Sequence, residues 1–98
     1  MNRHADFEWD EAKARQNLAK HSVPFSYAAR VFLDDTAVDF DVSRTVDGES
    51  RRKIVGAIEG RLYAVVYVRR MGRIRLISAR RCNAKEAQRY GSPHARPE

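Results

Sequence analysis

The sequence predicts an α+β domain with two N-terminal helices, a four-stranded antiparallel meander and a C-terminal helix. Three observations favour this fold class. Apolar residues recur with a helical period up to about residue 33 and then alternate with polar residues, as in half-buried strands. Short connectors with glycine separate three β-rich segments, which favours hairpins. A capping sequence precedes a last helical segment. We therefore expect helices packed against one face of an antiparallel sheet.

The two N-terminal helices follow from composition and from their start and stop signals. Residues 10–20 are rich in helix formers, Asp10 is a suitable N-cap, and Pro24 disfavours helical backbone at the residue before it. The second helix is predicted over Tyr27 to Leu33, with Ser26 as its cap. An acidic pair at residues 34–35 ends it.

The strands and the last helix follow in order. Ala37 to Val42 alternates apolar and acidic residues. The next three strands are predicted at 52–58, 62–69 and 74–80. Asn83 and Glu86 have the spacing of a capping box that starts a helix at about 84–90. We expect one domain over residues 1–98, with an ordered core at about 6–91 and a tail at 92–98.

Length and composition exclude several protein classes. The single cysteine, Cys82, permits no internal disulfide, which suits a reducing cytosol. The N-terminal residues lack the apolar core of a signal peptide, and the longest apolar stretch, 62–68, is too short to span a bilayer. We expect a cytoplasmic protein without a membrane partner.

Charge is divided unevenly between the two halves. Residues 1–50 carry six Lys/Arg and ten Asp/Glu, a net charge of −4, whereas residues 51–98 carry thirteen and three, a net charge of +10. A field of one sign attracts polyanions and speeds their encounter. Nucleic acid is the expected partner, although an acidic protein would be attracted by the same field.

Strand 62–69 carries two alternating sets of side chains. Tyr63 and Tyr67, with Val65 and Arg69, lie on one face, and the small apolar set 62, 64, 66 and 68 lies on the other and is expected to face the core. The tyrosine face is a candidate surface for stacking bases and binding phosphate. The alternative is that its aromatic rings pack against a helix.

Five arginines follow in the second half of the meander: Arg69, Arg73, Arg75, Arg80 and Arg81. In the strand 74–80, Arg73 and Arg75 are expected on one face and Arg80 on the other. A guanidinium matches a phosphate with a planar set of donors, so several that converge would stabilise added negative charge. The alternative is a solvated basic edge that discourages aggregation of sheets. We expect the arginines of separate strands to converge on one shallow pocket and share a phosphate.

Further candidates lie on the first and last helices. One side of the first helix carries Trp9, Lys13, Asn17 and either Lys20 or His21, at spacings of three or four residues. Histidine is the side chain whose ordinary pKa lies near neutrality. A structural role for His21 is the alternative. Glu86 is either a functional carboxylate or only the capping partner, and Tyr90 either donates a proton or covers the sheet edge. No spacing typical of a metal site, a nucleotide-binding loop or a paired-carboxylate site occurs, so no metal or cofactor is expected.

The chain also resembles the BrnT family of type II toxin–antitoxin toxins over about residues 6–90. No single motif is distinctive, and the resemblance depends on the order and spacing of many. The residues that carry it are Phe7-Glu8-Trp9-Asp10, Lys13, Asn17, Lys20-His21, Val23, Phe25, 28–34, Glu49, Arg51, 65–67, Arg69, 74–75, 77–81, Glu86 and Tyr90.

The resemblance implies a RelE-like fold, a ribonuclease activity that halts translation, and inhibition by a cognate BrnA-type antitoxin with a ribbon-helix-helix DNA-binding part. It implies that the protein contacts DNA only through this antitoxin, whose complex represses its own synthesis. Three positions depart from the family pattern. Ser22 replaces a glycine that usually follows Lys-His, Ser50 replaces a glutamate, and Asp35 replaces a proline.

The hypothesis is a metal-independent endoribonuclease in which the RNA 2′-hydroxyl attacks the adjacent phosphorus. Arg69 and Arg80 are assigned to charge stabilisation with support from Arg81, and His21 and Tyr67 are the candidates for proton transfer, followed by Glu86 and Tyr90. The predicted RNA-binding residues are Lys13, Lys20, Arg51, Lys53, Tyr63, Arg73 and Arg75. The alternative functions are a non-catalytic nucleic-acid-binding module and an interaction protein that holds an acidic partner.

Overall fold

A computed structural model describes residues 6–91 of the chain. The tail predicted at 92–98 lies outside the described residues. The elements are, in order, β1 Phe7–Glu8, α1 Glu11–His21, α2 Phe25–Ala28, a 3-10 turn Ala29–Leu33, β2 Val38–Asp41, a 3-10 turn Thr45–Asp47, β3 Arg52–Ile58, β4 Arg61–Arg70, β5 Arg73–Arg81 and α3 Ala84–Gly91. In the described part of the chain, no helix has the length and apolar character needed to cross a membrane.

The sheet has five strands in the order β1-β5-β4-β3-β2 and is mixed. β1 runs parallel to β5, with Phe7 opposite Ile74, while the other neighbouring pairs are antiparallel. The predicted four-stranded antiparallel meander is therefore wrong. A strand of two residues is too short to show alternation, and its partner lies at the other end of the chain, so no local pattern revealed it.

The second predicted helix also differs. Instead of a helix over Tyr27 to Leu33, the chain forms one α-helical turn at Phe25–Ala28 and then a 3-10 turn. Ser26 is not its cap, because Pro24 precedes the turn and Pro24 O accepts the first N–H bonds. The 3-10 turn lies close against β3: a Cβ on Gly56 would lie 3.2 Å from Val31 O and 3.3 Å from Val31 Cβ. Glycine at this position permits that close approach.

The two sheet faces differ in what covers them. On the first face, Ile54, Val65, Tyr67 and Leu76 pack with residues from α2 and the 3-10 turn in the hydrophobic core. We call it the α1 face because Ala14 of α1 also packs against this core. The opposite α3 face carries Lys53, Ala64, Val66, Ser78 and Arg80, and α3 lies over part of it.

The orientation predicted for β4 was wrong. Tyr63 and Tyr67 are 7% and 1% exposed and lie on the α1 face within the core, so they form no exposed surface for stacking bases. Ala64 and Val68, on the α3 face, are also buried. Because β4 is the central strand and is covered on both faces, hydrophobicity alone did not distinguish them.

A bulge in β5 changes which arginines share a face. Tyr67 is opposite Leu76 and Val66 is opposite Ser78, which leaves Ile77 as an extra residue. Arg73 and Arg75 consequently lie on the same α3 face as Arg80, and not on the opposite face as predicted.

Helix α1 is fastened at its ends and in its middle. Asp10 Oδ2 accepts a hydrogen bond from Lys13 N, 3.0 Å, and Ser22 ends the helix in the left-handed region with φ 62°. Buried Asn17 donates to Ala79 O and Val23 O and accepts from Ala79 N. Since β1 covers only two residues of β5, Asn17 satisfies the strand edge beyond it.

Candidate functional site

Glu86 is the centre of the polar contacts on the α3 face. Its Oε1 accepts from Arg80 Nη1 at 2.7 Å, and its Oε2 accepts from Arg80 Nη2 at 2.7 Å and Lys53 Nζ at 2.6 Å. The predicted capping box is confirmed, because Asn83 N donates to Glu86 Oε1 and Glu86 N donates to Asn83 Oδ1. Glu86 thus holds two cations from different strands and also caps α3.

The electrostatics of this cluster keep Glu86 ionised. Its side chain is 6% exposed, and burial raises the pKa of a carboxyl. Hydrogen bonds from Arg80, Lys53 and the Asn83 N–H outweigh burial and lower the pKa of Glu86 to about 2. Two cations against one carboxylate leave the cluster with a net positive charge. A group with so low a pKa serves as a fixed anchor for cations.

The predicted convergence of Arg69, Arg80 and Arg81 does not occur. Arg80 is opposite Ala64 on the α3 face, whereas Arg69 lies five residues along β4 from Ala64 and therefore on the α1 face. Arg81 is on the α1 face as well, with its guanidinium 5.8 Å from the Tyr63 ring centroid. Alternation along the strands separates these side chains, so they do not share one phosphate.

A transverse row of side chains crosses the α3 face instead. Ser78, Val66, Lys53 and Phe40 are successive partners on β5, β4, β3 and β2. All four are half-buried. With strands spaced roughly 4.8 Å apart, the row extends over about 14 Å. It lies beside α3 and joins two pockets with cationic linings.

The first pocket lies at the β5 end of the row. It has a volume of about 190 Å³ and is lined by Lys13, Gln16, Asn17, Lys20, His21, Ile77 and Ser78. The predicted group on α1 is thus brought together with β5. Arg80 lies two residues from Ser78 on the same face, roughly 7 Å along the strand. Half-buried His21 therefore shares a pocket with Ser78, and Arg80 is the neighbour of Ser78 on the same face.

The second pocket lies at the β2 end of the row. It has a volume of about 220 Å³ and is lined by Phe40, Lys53, Asn83, Lys85, Glu86 and Arg89. The Arg89 guanidinium lies 3.8 Å from the centroid of the Phe40 ring, and Lys53 Nζ lies 5.9 Å from it. Sequence reasoning missed Phe40 and Arg89. A signal was available for Arg89, because it follows Glu86 by three residues and therefore lies on the same side of α3.

The two candidate tyrosines are held in polar networks away from the row. The Tyr67 hydroxyl donates to Asp39 on the α1 face, and burial followed by that hydrogen bond raises the pKa of Tyr67. The Tyr90 hydroxyl donates to Asp34 Oδ2 at 2.9 Å. The hydrogen bond between Thr36 and Tyr90 lowers the pKa of Tyr90, but burial and Asp34 outweigh it and raise the pKa. Both phenols therefore hold their protons tightly.

The remaining predicted residues lie at other positions. Arg73 and Arg75 pair with Glu8 of β1, at 3.5 Å and 3.2 Å. These ion pairs compete with any phosphate for the two guanidinium groups. Arg51 is half-buried at the start of β3, where its carbonyl accepts from Val42 N. The half-buried thiol of Cys82 has a pKa raised to about 11 by burial. Among residues 6–91, no three His, Cys, Asp or Glu side chains are grouped to hold a metal ion.

Comparison with protein families decides the identity of the chain. Residues 9–86 match the family described as the ribonuclease toxin, BrnT, of a type II toxin–antitoxin system. The chain belongs to the BrnT family. No curated protein matches it. The matched range includes α1, the sheet from β2 to β5 and α3 up to Glu86, so it contains both ends of the transverse row.

Membership in the BrnT family confirms the resemblance seen in the sequence. It establishes the chain as a ribonuclease toxin of a type II toxin–antitoxin system, with RNA as its target and a cognate antitoxin as its partner. The basic second half and the two cationic pockets on the α3 face are in accord with a polyanionic target.

Proposed function

We propose that this BrnT protein is a metal-independent endoribonuclease that inhibits translation by cutting RNA bound along the transverse row. The observation that carries the proposal is the position of Ser78. It lines the pocket that contains His21 and Lys20, and it lies on the same face as Arg80. A phosphate at Ser78 would have the His21 imidazole in the same pocket and the Arg80 guanidinium as a neighbour on the same face.

The chemistry needs one base and positive charge around phosphorus. In the proposal, His21 takes the proton of the RNA 2′-hydroxyl, whose oxygen bonds to the adjacent phosphorus. The bond from phosphorus to the 5′-oxygen then breaks, and solvent water supplies the proton of this leaving oxygen. The products are a 2′,3′-cyclic phosphate and a 5′-hydroxyl. Arg80 keeps guanidinium N–H donors beyond those given to Glu86 and Arg81 O. With these donors Arg80 and, across Val66, Lys53 stabilise the extra charge of the pentacoordinate phosphorus.

The other predicted side chains have supporting roles in this proposal. Glu86 positions Arg80 and Lys53, and Lys13 and Lys20 bind backbone phosphates outside the cleaved bond. Tyr67 and Tyr90 are not used for proton transfer, because their hydroxyls are committed to Asp39 and Asp34.

The test uses purified protein, end-labelled single-stranded RNA and EDTA. We expect discrete fragments with cyclic phosphate ends from the parent protein. His21→Gln should slow cleavage by roughly 100-fold or more, since a positioned base contributes about 10²–10⁴-fold. Ser78→Glu places a carboxylate in the row without removing a partner of Glu86, and it should reduce both RNA binding and cleavage. Ser26→Glu adds the same charge on α2, which packs against the α1 face. It is the matched control and should behave as the parent.

Four results would contradict the proposal, the last of them only in part. Parental cleavage by both His21→Gln and Ser78→Glu would exclude this site. A salt-sensitive gel shift without any fragments would favour the non-catalytic binding module. Neither binding nor cleavage would favour a protein that holds an acidic partner. Cleavage that EDTA abolishes would refute metal independence alone.

The antitoxin is proposed to be of the BrnA type, with a ribbon-helix-helix part through which the complex contacts DNA in the cytoplasm. The support for this is the toxin–antitoxin family. The product of the neighbouring reading frame should copurify with the toxin, suppress RNA cleavage and be required for any DNA binding. DNA binding by the toxin alone would refute this part.

A further inference from the structure

The β2 end of the transverse row combines an aromatic ring with a planar cation. Phe40 is half-buried on the α3 face, directly opposite Lys53 in the register of β2 and β3. The Arg89 guanidinium stacks at 3.8 Å from the ring centroid. Arg89 is exposed, and no carboxylate pairs with it among the side chains that the structure describes. Nucleobases stack on aromatic side chains and on guanidinium planes.

The chemistry of this pocket favours a nucleotide over an acidic peptide. Both oxygens of Glu86 are occupied by Arg80, Lys53 and Asn83 N, so the pocket presents mainly donors and cations to a ligand. Cations alone would serve a carboxylate or a phosphate equally. A ring stacked with a guanidinium adds a flat surface, which a base uses and a carboxylate does not.

The dimensions also fit one base. The pocket volume of about 220 Å³ is below the roughly 300–1,000 Å³ of sites for drug-sized ligands, which suits a smaller planar group. From Ser78 to Phe40 the row spans about 14 Å, or about four nucleotides of stacked strand at roughly 3.4 Å each, and fewer if the strand is extended. One strand can therefore reach both pockets.

We propose that Phe40 and Arg89 form a base-stacking subsite for a nucleotide a few positions along the strand from the cleaved bond. The inference rests on the proposed path of RNA along the transverse row. It adds the side chains that bind a base at the β2 end of that row. Stacking accepts any base, so this subsite contributes affinity and register more than sequence preference.

The experiment measures binding of a short 2′-O-methyl oligonucleotide, which lacks the attacking hydroxyl and is not cut. 2-Aminopurine replaces one base at a time, and its fluorescence is quenched where it stacks. We expect quenching at one position in the parent protein, its loss in Phe40→Leu and its retention in Phe40→Trp. Phe40→Leu and Arg89→Gln should each weaken binding about 10-fold, as expected for one stacked base. An abasic nucleotide at that position should remove this difference between parent and variants.

Controls separate this inference from the proposed function. Arg61→Gln removes an exposed cation at the β3–β4 hairpin and should leave quenching at the parental level. Thermal unfolding of each variant checks the fold, and Arg89→Gln alters only an exposed helix position. Parental affinity and quenching in both Phe40→Leu and Arg89→Gln, with Ser78→Glu still impaired, would overturn the subsite but not the RNA path. No binding by the parent would overturn both. If polyglutamate displaced the oligonucleotide equally well from the parent and from Phe40→Leu, the surface would bind any polyanion, and the base-stacking subsite would be overturned.

Discussion

The carboxylate of Glu86 offers the sharpest test of how the α3 face is held together. Glu86→Gln keeps the size of the side chain and removes its charge, which leaves Arg80 and Lys53 without their anion. These partners are only 34% and 19% exposed, so solvent replaces the lost interactions incompletely. Breaking one side of a buried ion pair costs about 3–5 kcal/mol.

The lowered pKa of Glu86 expresses the same contacts as a dependence of stability on pH. Lowering it from 4.5 to about 2 corresponds to about 3 kcal/mol at 1.36 kcal/mol per pH unit. Because the folded pKa is below the unfolded one, this stability is complete above about pH 4.5. It is lost as pH falls through this value toward 2. The parent and Glu86→Gln should therefore differ by about 3 kcal/mol at pH 7, and their difference should shrink toward zero near pH 2.

Urea unfolding followed by the fluorescence of Trp9, the one tryptophan, measures both proteins at pH 7, 5, 3.5 and 2.5. Glu49→Gln is the matched control, since Glu49 pairs with Arg70 at 3.1 Å on the surface, where an ion pair contributes at most about 1 kcal/mol. A Glu86→Gln protein within 1 kcal/mol of the parent at pH 7, with the same pH dependence, would refute the reasoning.

Three further predictions concern α1 and the thiol. Ser22→Gly should raise the free energy of unfolding in urea by about 1 kcal/mol, because Ser22 has φ 62°, a backbone conformation that glycine adopts without strain. Ser26→Gly, in a helical turn, should not stabilise the fold. Equal effects of the two changes would contradict backbone strain at Ser22. Asn17→Ala should cost at least about 2 kcal/mol, since Ala79 and Val23 lose buried partners, whereas exposed Gln16→Ala should cost little. Cys82 should react slowly with a disulfide reagent at pH 7.5 and rapidly in urea, because its pKa is raised to about 11; rapid reaction of the folded protein would contradict this.

Local patterns located most elements within one or two residues. β3 was predicted at its observed bounds, β4 and β5 are one residue longer at each end, and α3 begins where predicted and ends one residue later. The capping box of α3 is present. These features depend on residues that are close in sequence, such as Asn83 and Glu86, and a linear pattern therefore contains them. The second helix differed because packing of Val31 against Gly56 favoured a tighter 3-10 turn over helix propensity.

The candidate site was less predictable, since it depends on which face each strand presents. Arg80, Lys53, Glu86 and His21 were predicted separately, and the structure places them along one face and its margins. Arg69 was grouped with Arg80 although alternation sends it to the other face.

What the sequence determined by itself was the concentration of positive charge in the second half, the positions of β2 to β5 and α3, and membership in a ribonuclease toxin family. Only the tertiary structure decided that β1 joins β5, that a bulge at Ile77 places Arg73 and Arg75 on the same face as Arg80, and that Phe40 meets Arg89. The physical reason is the same in each case. Both alternating sets of β4 side chains are suitable for burial, so the face that α1 covers is chosen by contacts between residues distant in sequence, and those contacts leave no periodic trace in the chain.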